Sequence, residues 1–311
     1  MPKPSQDQAL PDLSELTRAD WGPALRELVE ARGDYIELDE THHVLQVGEG
    51  DRLLVTFESA HDIRNGQDDA LPYGLKMAAK LKVSVIVVMC LKPTWFRADP
   101  VYTFFDMLTD EDVFEGFEHV CFYGAGLGGY AASAFSVAAP GADLVAISPQ
   151  ATLDPRVAEW DPRFPSARRR SWTDRYGFAP EMADAARHAM VLYNPEEDLE
   201  AMHSALFARP GITRFRCRHM GHDLPAALED MHILDDVLDL ALKKELNTVS
   251  FARLYRRRRD YGPYLRTLLT ETEDQDRPKL TGWLVGNVLP RKNMPRMRRA
   301  LERLEKAQAA E

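Results

Sequence analysis

Apolar residues recur along the chain with two different periods, and the changes between them outline a fold. Residues 14–32 place Leu16, Trp21, Leu25, Leu28 and Val29 at helical spacing and predict an amphipathic helix. Thr17 or Asp20 is suited to cap it and Gly33 to stop it. Short segments at 34–39, 43–47 and 52–57 are separated by turn-like residues and predict three strands, an antiparallel meander at a sheet edge. Residues 71–81 read as a helix. Residues 83–89 are an almost unbroken apolar run rich in Val and Ile, the mark of a strand covered on both faces.

Beyond it the pattern alternates. One or two short helices fit 99–117, a strand 119–123, an alanine-rich helix 128–138, strands 143–148, 189–193 and 212–217, and a closing helix 225–244. An antiparallel start followed by β/α alternation predicts an α/β fold, a mostly parallel, doubly wound sheet with helices on both faces. Residues 151–188 break the alternation. They carry Trp160, Trp172, Pro155, Pro162, Pro165, Pro180 and the run Arg168-Arg169-Arg170, and are expected to leave the sheet. Residues 246–311 predict a helical tail interrupted at Pro263, Pro278, Pro290 and Pro295, and residues 1–12 a disordered start. The expected units are thus 1–12, a body at 13–245 and a C-terminal extension at 246–311.

Composition changes this picture in two places. The 311 residues are 45% hydrophobic and 28% charged, which suits a large domain with an appendage. The net charge of −10 is unevenly spread: residues from 246 onward hold 15 basic and 8 acidic residues, those before it 24 and 41. An acidic body with a basic tail admits a tail folded back on the body, a protein partner or self-association. The acidity of the whole argues against general nucleic-acid binding. The run Arg256–Arg259 beside Tyr255 and Tyr261 could touch RNA or an anionic lipid, or pair with the body. Met294, Met297, Leu301 and Leu304 form an apolar stripe that reads as packing. Cys90, Cys121 and Cys217 are few, odd in number and placed in or at the ends of strands, so no disulfide framework is expected. There is no stretch of apolar residues long enough to span a bilayer and no apolar leader at the start, and a cytoplasmic location is expected.

The chemistry concentrates in one segment. A strand runs into Gly124-Ala125-Gly126-Leu127-Gly128-Gly129, and a helix of small residues follows. Gly124, Gly126 and Gly129 satisfy the dinucleotide spacing G-x-G-x-x-G, which would make the chain a nucleotide-cofactor oxidoreductase. That motif belongs at the first strand of a βαβ unit and wants an acidic residue at the end of the next strand. Here four strands precede it, and the next strand ends Ala146-Ile147-Ser148-Pro149.

The same segment resembles the nucleophile elbow G-x-S-x-G of the α/β-hydrolase superfamily, with Gly124 and Gly128 at the flanking glycines and Gly126 at the serine position. The resemblance spans roughly residues 30–245. It implies a sheet of the α/β-hydrolase type with an antiparallel N-terminal edge, a cap excursion at 151–188 and no cofactor. It places Asp198 at the family's acid and His222 at its loop histidine, and puts Ser59 in the loop that supplies an oxyanion-hole N–H. The plainer readings are a tight turn at Gly126, a helix-capping carboxylate at Asp198 and a backbone-bonded loop histidine at His222. His219, His222 and Asp223 are too few to define a metal site, and none is expected. Ser59 and Ser148 are the alternative hydroxyl nucleophiles, though no motif surrounds either, and Cys121 is expected to be buried and inert.

Glycine cannot attack a carbonyl. The expectation is therefore a non-hydrolytic protein that holds a small acidic or acyl-like ligand. The Leu127 N–H at a helix N-terminus, Ser59, Arg168 and Arg169 would contact it. The alternative is an enzyme of altered chemistry, a hydrolase, transferase or lyase that uses His222.

Overall fold

The computed structural model describes residues 10–66 and 68–308. Most of the expected disordered start lies outside them, but Leu10 is partly buried against the core and Leu13 is buried. The strands are β1 Gly33–Glu37, β2 His42–Val47, β3 Arg52–Ser59, β4 Ser84–Cys90, β5 His119–Ala125, β6 Asp143–Ile147, β7 His188–Tyr193 and β8 Ile212–Arg216. The helices of the body are α1 Arg18–Glu30, α2 Ala60–Gly66, α3 Tyr73–Leu81, α4 Asp99–Asp110, α5 Leu127–Phe135, α6 Pro155–Ala158, α7 Ala179–Met182, α8 Asp198–Leu206, α9 Leu224–Asp230 and α10 Leu234–Leu242. Those of the extension are α11 Thr248–Leu254, α12 Gly262–Asp274, α13 Pro278–Val288 and α14 Pro295–Gln308.

All eight strands form one sheet in the order β1-β2-β4-β3-β5-β6-β7-β8. Pairing is antiparallel from β1 to β2 and from β2 to β4, and parallel everywhere else. The expected three-stranded meander is corrected here. Only β1 and β2 form the antiparallel edge, while β3 lies at the sheet centre between β4 and β5. Its apolar content suits that place: Leu53, Leu54, Val55 and Phe57 are all buried, the continuous run of a parallel strand covered on both faces.

Alternation along each strand divides the interior into two cores. On β4, Val85, Val87 and Met89 join one core with α1, α3 and α10, while Ile86, Val88 and Cys90 join the other with α4 and α5. In the second core Phe57, Phe105 and Phe135 stack with centroid separations of 4.5–5.7 Å. Each such ring contributes about 1.5–3 kcal/mol by leaving water.

Residues 151–187 lie outside the sheet and pack over α5, and His188 already belongs to β7. The anchor of this segment is Arg97, buried under it. Arg97 donates from Nε to the Ser171 carbonyl at 2.6 Å and from Nη1 to the Tyr130 hydroxyl at 2.7 Å, and it pairs with Asp174. Its guanidinium also lies 5.0 Å from the Trp172 ring centroid. The predicted closing helix is broken in two at residues 231–233, where His232 takes a left-handed φ of 53°.

In the extension, prolines open helices instead of merely interrupting them: Pro263, Pro278 and Pro295 each lie in a first turn, where a missing N–H costs nothing. The apolar stripe packs as expected, with Met294 and Met297 buried against Leu265, Leu269, Val285 and Val288. The extension returns to the body through Phe251 and Tyr255, which enter the first core beside Phe215. Of the arginine run, Arg257 pairs with Asp236 at 2.6 Å and Arg258 lies 4.3 Å over the Tyr255 ring. All three cysteines are buried and unlinked, and no helix among the described residues is long and apolar enough to cross a membrane.

Candidate active site

The site follows from strand order. From β3 the chain moves outward through β4 to one side, and from β5 through β6, β7 and β8 to the other. Where an open sheet reverses its winding, the loops after neighbouring strands diverge and leave a crevice at their carboxyl ends. That crevice is a cavity of about 520 Å³. It is lined by Phe57, Glu58 and Ser59 at the end of β3 and by Tyr123, Ala125, Gly126 and Leu127 at the end of β5.

The elbow is set by backbone contacts. A Cβ on Gly124 would lie 2.1 Å from the Gly128 carbonyl oxygen, and a Cβ on Gly128 would lie 2.2 Å from that of Phe57. Strand, turn and helix are therefore too close for any side chain at either position. Gly126 sits at φ 54°, ψ −117°, and the space above it is open, with no atom within 4 Å of a built Cβ. Its N–H donates to the Ile147 carbonyl at 2.9 Å and its carbonyl accepts from Tyr130 N–H at 3.0 Å. Helix α5 begins at Leu127 without a side-chain cap, so its first-turn N–H groups and the positive end of its dipole border the cavity.

Glu58 lines the same cavity from the β3 side. Its Oε1 accepts from Thr56 Oγ1 at 2.7 Å and from Gly74 N–H at 2.8 Å, and its Oε2 accepts from Tyr73 N–H at 2.6 Å. Burial pushes this carboxyl above the ordinary glutamate value, against those hydrogen bonds and the nearby Lys76 charge, which pull it down. Ser59 donates to Asp62 Oδ2 at 2.8 Å and accepts from the Asp62 N–H at 3.1 Å, so it serves as the cap of α2. Opposite lie Trp95 and Phe164, 4.8 Å apart edge to face, with Trp95 Nε1 donating to Gln150 at 3.0 Å. Tyr73 and Tyr123, 5.5 Å apart, also line the cavity, as do Pro225 and Glu229 of α9.

No family model matches the sequence, and no curated protein matches it. Solved structures resemble its fold at low identity. An arylesterase is 14% identical, with 76% of this chain and 93% of that chain covered and a TM-score of 0.44. A hyperthermophilic esterase from the archaeon Pyrobaculum calidifontis is 16% identical, covers 72% and 90%, and scores 0.44. A fluorophosphonate-binding serine hydrolase from Staphylococcus aureus, solved with substrate, is 12% identical, covers 70% and 99%, and scores 0.40.

The fold is that of the α/β-hydrolases. The expectation of a non-hydrolytic, ligand-holding protein, drawn from Gly126, is corrected by these matches, since the structures sharing the fold include esterases and serine hydrolases. What those enzymes act on remains a property of those enzymes.

Within the α/β-hydrolase fold, the residues expected from chain order divide into two groups. Gly126, Leu127 and Ser59 meet at the cavity. Asp198 and His222 do not line it, are exposed, and make no hydrogen bond or ion pair with each other among the described residues. Asp198 is the first residue of α8, where its charge suits the helix dipole. His222 follows Gly221, whose φ is 74°, and its neighbour Asp223 turns to cap α9 through Ala226 N–H at 3.1 Å. The loop after β7 does reach the histidine loop, but through Asn194, whose Nδ2 donates to the Gly221 carbonyl at 2.8 Å.

Nor do the cap arginines reach the cavity. Arg168 bonds the backbone of Asp161 and Glu159, and Arg169 is exposed. Ser148, at φ 46°, donates to Glu200 at 2.6 Å outside the lining, and burial pushes the Cys121 thiol well up. His219 is held at Nδ1 by Glu271 of α12 at 2.9 Å and by Glu196 at 3.1 Å, a junction between extension and body. Glu58 is a cavity-lining carboxylate that sequence reasoning did not single out. The signal was there: a lone carboxylate next to the last residue of β3, in a strand whose Leu53, Leu54, Val55 and Phe57 are apolar.

Proposed function

We propose that this chain is an enzyme that hydrolyses a carbonyl compound by direct attack of water, without a covalent acyl intermediate. The observation carrying this reading is the shared cavity, which holds an uncapped helix N-terminus, an open space above Gly126 and the raised-pKa carboxyl of Glu58. The substrate carbonyl oxygen would rest on the first-turn N–H groups of α5, where charge develops as water adds. Glu58 would take one proton from that water as its oxygen bonds to the carbonyl carbon, and return it to the leaving oxygen or nitrogen as the tetrahedral species collapses. Atoms balance with water as the only co-reactant. Oε2 of Glu58 accepts one N–H and keeps a lone pair for this purpose. A carboxyl pushed upward by burial is a better base than an ordinary glutamate.

The test uses a panel of small esters, a fluorophosphonate probe and water labelled with heavy oxygen. Expected are turnover without probe labelling, one labelled oxygen in the acid product, and loss of about 10²–10⁴ in kcat for Glu58→Gln with an unchanged circular dichroism spectrum. The kcat/KM of the wild type should rise with pH through a value above that of an ordinary glutamate. Probe labelling of the wild type would show a covalent nucleophile and overturn the mechanism. Full activity in Glu58→Gln with loss in His222→Ala would move the base to His222.

A further inference from the structure

No large apolar side chain among the described residues is more exposed than Trp283 of α13, at 72%. Helix α13 buries Thr281, Val285 and Val288 and leaves Lys279, Leu280, Trp283 and Gly286 exposed on its other face. A Cβ on Gly286 would meet nothing within 4 Å, so the indole one turn before it stands clear. Charge around this ring is of one sign. Residues 277–301 carry seven basic residues and no acidic one. Only Arg291 of the seven is in an ion pair among the described residues, with Asp260. Arg296 and Arg298 donate to the neutral side chains of Thr270 and Asn293 at 3.0 and 3.1 Å. Arg277, Lys279 and Arg299 make no side-chain hydrogen bond or ion pair among the described residues. Of the acidic residues just before this stretch, Glu271 and Glu273 are held by His219 and Arg303. The arginine run at 256–259 is engaged elsewhere, with Asp236 and the Tyr255 ring.

We infer that this face of the extension docks on an anionic lipid bilayer, with the Trp283 indole in the headgroup layer and the basic residues of 277–301 near the lipid phosphates. An indole has an apolar body and a polar N–H, which suits the boundary between headgroups and hydrocarbon. Basic residues beside such an anchor are drawn to anionic lipid, each tightening partitioning about fivefold. Leu280, exposed on the same face, adds aliphatic surface that favours hydrocarbon over a stacked nucleic-acid base. A bilayer needs no shaped pocket here, whereas a protein partner would have to supply one for the indole. The acidic body repels the same lipid, but at 0.1 M salt that repulsion is screened beyond about 10 Å, so the nearest groups decide. This face shares no residue with the cavity and docks whether or not the cavity hydrolyses anything.

The full chain is sedimented with phosphatidylcholine vesicles that contain or lack phosphatidylglycerol, at low and at high salt. Binding should be roughly tenfold or more tighter to the anionic vesicles and should weaken as salt rises. On binding, indole emission should move to shorter wavelength and resist acrylamide quenching, a change absent in Trp283→Phe. Trp283→Ser should weaken binding roughly tenfold. Arg277→Gln, Lys279→Gln and Arg299→Gln together should weaken it roughly a hundredfold, with an unchanged circular dichroism spectrum. Equal binding to both vesicles, binding to neither, or indifference to these substitutions would overturn the inference. So would a dimer, or a complex with a single-stranded RNA, that Trp283→Ser abolishes while vesicles go unbound.

Discussion

The two sides of the sheet's carboxyl edge carry the family's expected parts in different ways. On the elbow side, β3 and β5 end in backbone contacts so close that only glycine fits at 124 and 128, and the groups that follow face one cavity. On the histidine side, β7 and β8 end in loops whose expected groups, Asp198 and His222, are exposed and apart from the cavity. There the organised histidine is His219, turned toward Glu196 and Glu271 instead. Parts fixed by main-chain packing stand where the motif puts them, and parts that depend on side-chain direction do not.

The largest expected effect sharpens this contrast. Gly124→Ala forces a Cβ onto the Gly128 carbonyl and should cost more than about 3 kcal/mol or prevent folding. Gly221→Ala adds a Cβ with nothing within 4 Å at φ 74° and should cost only about 1–2 kcal/mol. Urea denaturation of both variants measures the difference, and equal losses would erase the distinction between the sides.

The next effect is acid sensitivity. His203 on α8 is buried with Nε2 2.9 Å from Asp161, and burial holds it below the ordinary histidine value, as it does His43 and His188. A group whose folded pKa is depressed is protonated first in the unfolded chain. Stability should therefore be complete above about pH 6.5 and decline as pH falls below it. Burial alone would raise the Asp161 carboxyl, but hydrogen bonds from Arg163 and His203 outweigh this and bring it to about 2, so a second decline should follow below about pH 4. Thermal melts across pH 3–8 check both steps (about that range suffices), and His203→Gln should remove the first in part.

A smaller effect probes the gap between the sides. Gly126→Ser puts a hydroxyl in open space at a left-handed φ, at a cost of about 1–2 kcal/mol. With His222 and Asp198 outside the cavity lining, this serine should not label with fluorophosphonate. Labelling would mean that the histidine loop reaches the elbow in solution and would break the comparison. The smallest effect belongs to the junction with the extension. Glu271→Gln should shift stability by less than about 0.5 kcal/mol, since both side chains there are partly exposed.

How much of this was legible follows the same division. The apolar run of β4 and the glycines of the elbow announced a buried parallel sheet and its turn, because period and backbone permission are local properties. The central place of β3 was hidden behind its position in chain order between two edge strands and a helix, although its apolar density hinted at it. The apolar pattern does not predict helices α2 and α8; each is short, and Ser59 capping α2 shows only once Asp62 lies beside it. Glu58 carries no motif; what singles it out is the withdrawal from water that raises its pKa, and neighbours from α3 supply two of its hydrogen bonds.

The sequence by itself determined the doubly wound α/β sheet, the antiparallel first strands, the glycine elbow and the helical basic extension, since each depends on spacing within a few residues. Only the tertiary structure decided which strands meet at the switch point, that Glu58 and the aromatic rings share the cavity with Gly126, and that Asp198, His222 and the cap arginines do not. These facts depend on side chains from segments distant in sequence, and on which way each turns once its backbone is packed.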